Sequence, residues 1–371
     1  MGANDSCNDW GPAVGAGTVK LWQAYILCGV FNTIGAVLLG YKVTETLRTG
    51  IVEVDVFDVY SIYNHTTGKY ETVPYCNGSI TTGGFAPPNV DKNGTAVVEC
   101  AKYTAAEYMV GQTGAMAGVA AFMIVSSIYK IPVSATHAIV GASLASSLYL
   151  RGNVGIRWNE IVGIEHSKIT DMHTPVMNSD EIRNLPWYKY LYTAVPEDRL
   201  TTKVFNALQI VSSSLLSFSH GANDTANTVG PLLAVWLTYH TGYAFGAAET
   251  RDDSQVLLAF GAVAMIFGFL TLGHRTIKLI AEEITVDMSP VSGFAIELGT
   301  AFTVLVCVKV GIPVSSTHCA VGAVLFVGMT KSTTEGVSFK TFRKICIVWL
   351  LCFPVAAAIS LVVTIILVKV A

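Results

Sequence analysis

Two kinds of short polar stretch are set between apolar flanks. "HGANDTANTVGP" (His220–Pro231) carries Asn223, Asp224 and Asn227, with "VFNALQIVSSSLLSFS" before it and "LLAVWLTY" after it. Asp224 and Asn227 stand three apart, so on a helix they share one face. A carboxylate, carboxamides and carbonyls freed at a helix break are hard oxygen donors, the set taken by a small hard cation. No thiolate or imidazole cluster of the kind that zinc takes accompanies them. Gly221, Gly230 and Pro231 are helix breakers, so the stretch reads as an interruption that exposes backbone N–H and C=O groups. The second kind of stretch is Pro132-Val133-Ser134-Ala135-Thr136-His137, repeated as Pro313-Val314-Ser315-Ser316-Thr317-His318. Proline suits a helix start and Ser or Thr an N-cap. A tip built this way offers hydroxyls and free N–H groups to a multi-oxygen anion, helped by the positive end of the helix. For His137 and His318, neutral packing and a direct role stand level.

Both motifs occur twice and in the same order. "GANDSCNDWGP" (Gly2–Pro12) precedes "KIPVSATHAIVGA" (Lys130–Ala142), and "GANDTANTVGP" (Gly221–Pro231) precedes "GIPVSSTHCAVGA" (Gly311–Ala323). A cap on a kinked helix accounts for one Asn or Asp, not for the same Asn-Asp-x-x-Asn set in duplicate. The chain reads as a duplicated unit: a first, incomplete repeat over 1–165, a polar connection over 166–200 and a second repeat over 201–371. Duplicated membrane units with matching interruptions point to secondary transporters, whose site lies at the repeat interface.

The elements that must position these residues are membrane helices. Only 13% of the chain is charged, 52% is hydrophobic and mean hydropathy is +0.52, where a soluble chain carries about 25% charged residues. Apolar runs at 20–41, 108–130, 204–219, 255–273, 291–309 and 345–369 approach the roughly 20 residues that cross a bilayer as helix. The 13 residues from Ala138 to Leu150 give about 20 Å of helix, too little to cross. A re-entrant hairpin with its tip at depth fits instead. The predicted fold class is therefore an all-α integral membrane protein of two inverted repeats, with broken helices and two re-entrant hairpins. A formal net charge of −3 gives no basis for nucleic-acid binding. "GANDSCNDWGP" after Met1 is too polar for a signal peptide. No G-x-S-x-G, H-E-x-x-H or phosphate-loop pattern supports an enzyme.

The polar loop over 51–107 holds three glycosylation sequons, at Asn64, Asn77 and Asn93, together with Cys76 and Cys100. Their coincidence predicts a luminal or extracellular loop with a disulfide candidate in Cys76 and Cys100. The remaining cysteines, scattered through apolar segments, read as small buried hydrophobes.

At these residues the chain resembles the inorganic phosphate transporter (PiT) family of sodium- or proton-coupled phosphate symporters. Both "GAND" segments and both "PVS-x-TH" tips carry the likeness, as do "GFAIELG" (Gly293–Gly299) and "VSFKTFRKICIVWLLCFPVAAAIS" (Val337–Ser360). The resemblance implies phosphate between the hairpin tips, at Ser134, Thr136, Ser315, Ser316 and Thr317. It implies Na+ at the Asp/Asn clusters of Asn4, Asp5, Asn8, Asn223, Asp224 and Asn227, with the metal ion on Asp5 and Asp224. Glu297 matches a family glutamate and is the coupling candidate. The expected function is Na+-coupled phosphate symport, with no cofactor beyond the co-transported ion. The expected form is a homodimer in a lipid bilayer, in the plasma membrane or an intracellular one. Sulfate is the alternative anion and H+ the alternative ion. A non-transporting phosphate receptor or sensor on the same fold is the alternative of a different class.

Three departures from the family pattern accompany the likeness. Only Met1 precedes the first "GAND", where family chains have an apolar helix. After the first hairpin, "GIRWNEIVGI" (Gly155–Ile164) leads into a polar region where the family has another crossing. Asn32 stands where the family has glutamate. Arg151, Arg157, Lys168, Arg183, Lys189, Arg199 and Lys203 favour the cytosolic side for the connection, whereas a re-entrant hairpin would leave it opposite. A shortened chain is the expectation that reconciles these observations.

Overall fold

The computed structural model describes residues 1–57, 60–64, 69–73, 79–82, 99–102, 105–129, 131, 133–153, 155–159, 161, 199–241, 244, 251–279, 289–330 and 339–370. Helices dominate them. A turn over Met1–Ser6 leads into α1 (Cys7–Gly15), followed by α2 (Leu21–Thr49), α3 (Ala105–Ile128) and α4 (Ala135–Arg151). The second half has α5 (Arg199–Thr241), α6 (Arg251–Leu279), α7 (Pro290–Val310), α8 (Ser316–Thr330) and α9 (Phe339–Val370). Five stretches are long and apolar enough to cross a bilayer: Leu21–Thr49, Ala105–Ile128, Ser254–His274, Pro290–Val310 and Phe342–Val370.

One departure from an all-helical chain lies in the loop after α2. Strands β1 (Tyr60–Asn64), β2 (Lys69–Val73), β3 (Ser79–Thr82) and β4 (Glu99–Lys102) form a sheet in the order β2-β1-β4-β3. β1 pairs antiparallel with β2 and β4, and β3 pairs parallel with β4. Asn64 ends β1 and Cys100 lies on β4. Cys76, Asn77 and Asn93 lie outside the described residues, as does most of the 166–200 connection.

The helical body buries a set of polar side chains within an apolar core and turns apolar faces outward. Trp22, Ile26, Val30, Ile34 and Leu38 recur every fourth residue of α2 and are all exposed, as are Val256, Phe260, Val263 and Phe267 on α6. In water such stripes would form a large apolar patch; against acyl chains they are the expected surface. Asn4, Asp5, Asp9, Asn32, His220, Asn223, Asp224, Asn227 and Glu297 are buried instead.

The predicted interruption at Gly221–Pro231 takes a different form. α5 is helical from Arg199 to Thr241, straight through the motif. Gly221 serves close packing instead of unwinding. A Cβ there would stand 1.9 Å from the Asn32 carbonyl oxygen, and one on Gly35 would stand 1.9 Å from the Phe218 carbonyl oxygen. The two glycines let α2 and α5 cross backbone to backbone, the small-residue packing favoured between membrane helices. Pro231 removes one ladder donor, which frees the Asn227 carbonyl without ending the helix. Gly35→Val is accordingly expected to lower the unfolding temperature of the detergent-purified protein, with an overpacking cost of about 1–3 kcal/mol or more. A wild-type unfolding temperature would refute this account of the crossing.

The two PVS-x-TH stretches each join a pair of helices that pack on one another, α3 with α4 and α7 with α8. α4 also packs on α9, and α7 on α5. Gly311, with φ of +85°, ends α7 in the left-handed conformation that glycine adopts without strain. α4 runs 17 residues, beginning at Ala135, three residues before the leg expected from sequence.

Candidate functional site

The start of α4 and the start of α8 meet in the interior. Ser134 caps α4, its Oγ accepting from the His137 backbone N–H at 3.3 Å. Ser315 stands in the same relation to α8, accepting from the His318 N–H at 3.4 Å. Ser134 Oγ donates to Ser315 Oγ at 2.8 Å, so the tips touch. Each serine also lies 2.6 Å from Nδ1 of its own histidine, and the two imidazoles lie 4.8 Å apart between ring centres. The histidines thus pack on one another behind the serines. His318 stacks further on Trp349, 3.7 Å away.

Around this contact the interactions come in exchanged pairs. The Thr136 hydroxyl donates to the Val314 carbonyl at 3.1 Å, and the Thr317 hydroxyl lies 3.4 Å from the Val133 carbonyl. Asn4 Nδ2 donates to the Ile131 carbonyl at 2.8 Å while its Oδ1 accepts from the Val133 N–H at 3.3 Å. Asn223 treats the other tip alike, donating to the Val314 carbonyl at 2.6 Å and accepting from the Val314 N–H at 3.3 Å. Asn8 Nδ2 reaches Thr317 Oγ1 at 3.5 Å, and Asn227 Nδ2 reaches Thr136 Oγ1 at 3.1 Å. Each first asparagine holds the tip of its own half, and each second asparagine reaches the tip of the other.

The two carboxylates close the arrangement. Thr317 Oγ1 donates to Asp5 Oδ1 at 3.0 Å. Ser316 Oγ donates to Asp224 Oδ2 at 2.7 Å, while Asp224 Oδ1 accepts from Asn223 at 2.8 Å and from Asn227 at 3.3 Å. Asp5 Oδ2 and Asn227 Oδ1 are buried without a protein donor among the described residues. A buried acceptor left unpaired is costly, and acceptor-only oxygens beside carboxylates suit a hard cation.

Eleven predicted ligands are therefore gathered at the two tips in one cluster of three hydrogen-bonded sets: Asn4, Asp5 and Asn8 with Thr317, Asn223, Asp224 and Asn227 with Thr136 and Ser316, and Ser134 with Ser315. Glu297 is not part of it. Its carboxylate accepts from Gln209 at 3.3 Å and Ser212 at 2.6 Å, both on α5 upstream of the motif. Asn32 is buried beside the motif, accepting from Thr225 at 3.4 Å. Two ionisable residues were missed by the sequence reading: Asp9 and His220, whose ring Nδ1 pairs closely with Asp9 and whose Nε2 lies 3.0 Å from Asp224 Oδ2. The signal was present, since any ionisable residue in a membrane-embedded stretch is a functional candidate.

The sequence profile described as "Phosphate transporter family" matches residues 1–70, 75–175 and 187–360. The chain belongs to this family. Sodium-dependent phosphate transporter 2 of Xenopus tropicalis is 40% identical over 157 residues, covering 42% of this chain and 23% of the relative. The human protein of the same name is 39% identical over 157 residues with the same coverage. The matched part is thus less than a quarter of these animal transporters' length. A Pyrococcus furiosus protein with a provisional phosphate-permease name is 23% identical over an alignment of 425 residues, covering 97% of this chain and 91% of its own. A solved structure titled as the sodium-dependent phosphate transporter superposes with a TM-score of 0.74 at 25% identity, covering 100% of this chain and 96% of the other. Family membership and five apolar helices of spanning length make this phosphate transporter family chain a multi-pass membrane protein.

Proposed function

We propose that the protein is a Na+-coupled inorganic phosphate symporter in which both solutes share the cluster at the two hairpin tips. The arrangement that carries this reading is the placing of each carboxylate against a tip hydroxyl: Asp5 against Thr317 and Asp224 against Ser316. Those hydroxyls follow Ser315, which meets Ser134 at the contact between tips. Without a cation, the carboxylates take the hydroxyl protons that an oxyanion would need. Na+ on Asp5 and Asp224, with Asn227 Oδ1 and the Asn227 carbonyl freed by Pro231 nearby, neutralises the carboxylates and releases Ser316 and Thr317. Phosphate then replaces the Ser134–Ser315 bond and collects hydroxyls and helix N-termini from both sides. Neither solute is well held alone, because burying either charge without the other is prohibitive.

The exchanged contacts support reading 1–165 and 201–371 as repeats related by a pseudo-twofold axis, with the two helical pairs as re-entrant hairpins. Glu297, outside the cluster, is assigned to coupling between the halves through α5. The 51–107 loop is placed on the luminal or extracellular side, with glycans at Asn64, Asn77 and Asn93 and a bridge between Cys76 and Cys100. The protein is assigned to the plasma membrane or an intracellular one as a homodimer.

In proteoliposomes, an inward Na+ gradient is expected to drive uptake of labelled phosphate that an equal K+ gradient does not. Excess unlabelled sulfate is expected to leave that uptake largely intact. Phosphate entry indifferent to Na+, or full competition by sulfate, would overturn the assignment of ion or substrate.

A further inference from the structure

Asp9 and His220 are fully buried, and the symport reading gives neither a task. Asp9 follows Asn8 on α1, where the second copy of the motif has Thr228; His220 precedes Asp224 by one helical turn on α5. The imidazole stands between two carboxylates, Nδ1 paired with Asp9 and Nε2 3.0 Å from Asp224 Oδ2. Asp9 is held from behind. Ser217 Oγ donates to its Oδ2 at 3.0 Å and accepts from Trp10 Nε1 at 2.7 Å. The line Trp10–Ser217–Asp9–His220–Asp224 thus ties α1 to α5 and ends on a proposed Na+ ligand. Among the described residues it has no counterpart in the other half: Thr228 is exposed, and its hydroxyl meets the Met1 sulfur.

Burying an imidazole between carboxylates contributes little stability by itself. What it does supply is a fixed carboxylate. Asp224 Oδ2 accepts from Ser316 on α8 and lies 3.0 Å from His220 Nε2 on its own helix, an ion-pair contact outside hydrogen-bond geometry, and the two together confine the carboxylate before an ion arrives. Outer-shell partners that orient a ligand in this way change metal affinity by about 10–100-fold when removed.

We infer that Asp9 and His220 are positioning residues for the Asp224 cation cluster, a one-sided device through which this half of the duplicated site sets the Na+ dependence of transport. The inference rests on the sodium reading above. Asp9→Asn and Asp9→Thr, the latter supplying the residue of the second copy, are expected to raise the Na+ concentration for half-maximal phosphate uptake about tenfold. The phosphate KM at saturating Na+ stays unchanged. Thr228→Val, at the matching position, keeps the wild-type Na+ curve. In purified protein without phosphate, the rise in unfolding temperature that Na+ brings shrinks in both Asp9 variants. Should the Asp9 variants fail to accumulate, Ser217→Ala, which removes the hydroxyl behind Asp9 and with it the acceptor of Trp10 Nε1, moves the Na+ curve in the same direction. Folded variants with wild-type Na+ dependence would overturn the inference. So would Na+ and phosphate affinities that fall together in step with a lower unfolding temperature. A wild-type protein whose uptake and unfolding temperature both ignore Na+ would instead overturn the sodium reading, and this inference with it.

Discussion

Asp224→Asn is expected to abolish Na+-driven phosphate uptake while the protein still reaches the membrane. The carboxamide keeps the size and most of the hydrogen-bonding reach of the carboxylate, so α5 and its crossing with α2 are preserved. What it loses is the charge that gathers Ser316, Asn223, Asn227 and His220 around one group. Interactions with a charged acceptor are worth about 1.5–3 kcal/mol each, so losing two of them at the ion costs at least about a hundredfold in affinity. An Asn amide group can also donate, which turns part of a cation cradle towards repulsion of the ion. Labelled uptake, normalised to protein in the vesicle, measures the effect. Uptake at the wild-type rate would contradict the role of Asp224.

The second large effect is expected at the tips. Ser134→Gly combined with Ser315→Gly removes the two hydroxyls that meet at the centre. Glycine is chosen over alanine because it costs only a few tenths of a kcal/mol as an N-cap, whereas alanine costs about 1 kcal/mol. The helices therefore start as before, and the change falls on the anion. Each lost hydroxyl–oxyanion bond is worth about 1.5–3 kcal/mol, so each single variant raises the phosphate KM about tenfold or more, and the pair about a hundredfold or more. Because the two serines are equivalent in their contacts, the single variants are expected to match one another. A large effect from one serine and none from the other would show that the anion is held by one tip only.

The parts of this site that were legible in the sequence are those whose chemistry is local. A proline followed by Ser and Thr predicts a capped helix start wherever it occurs, and its recurrence after the same Asn-Asp-x-x-Asn set pairs the two motifs without any structure. The long-range parts were not legible. Gly221 reads as a breaker by composition, yet its role comes from Asn32 on another helix, which stands against it across nearly two hundred residues. The partners of Asp9 depend on the same crossing, since His220 and Ser217 lie on α5. Glu297 was matched by family likeness alone; its position away from the tips follows from Gln209 and Ser212, which no spacing rule connects to it. The sheet in the 51–107 loop was hidden for a related reason: β1 pairs with β4 across the intervening strands, and such pairing leaves little local periodicity. Membrane embedding itself was plain from composition.

The central claim is that one cluster at the two tips binds both solutes and that each prepares the site for the other. It is tested most directly by calorimetric titration of the purified protein with phosphate, in Na+ and in K+, and with Na+, with and without phosphate. The expected result is tighter phosphate binding in Na+, matched by an equal factor in tighter Na+ binding in phosphate, as linkage requires. Phosphate binding of equal strength in Na+ and K+ would contradict a shared site.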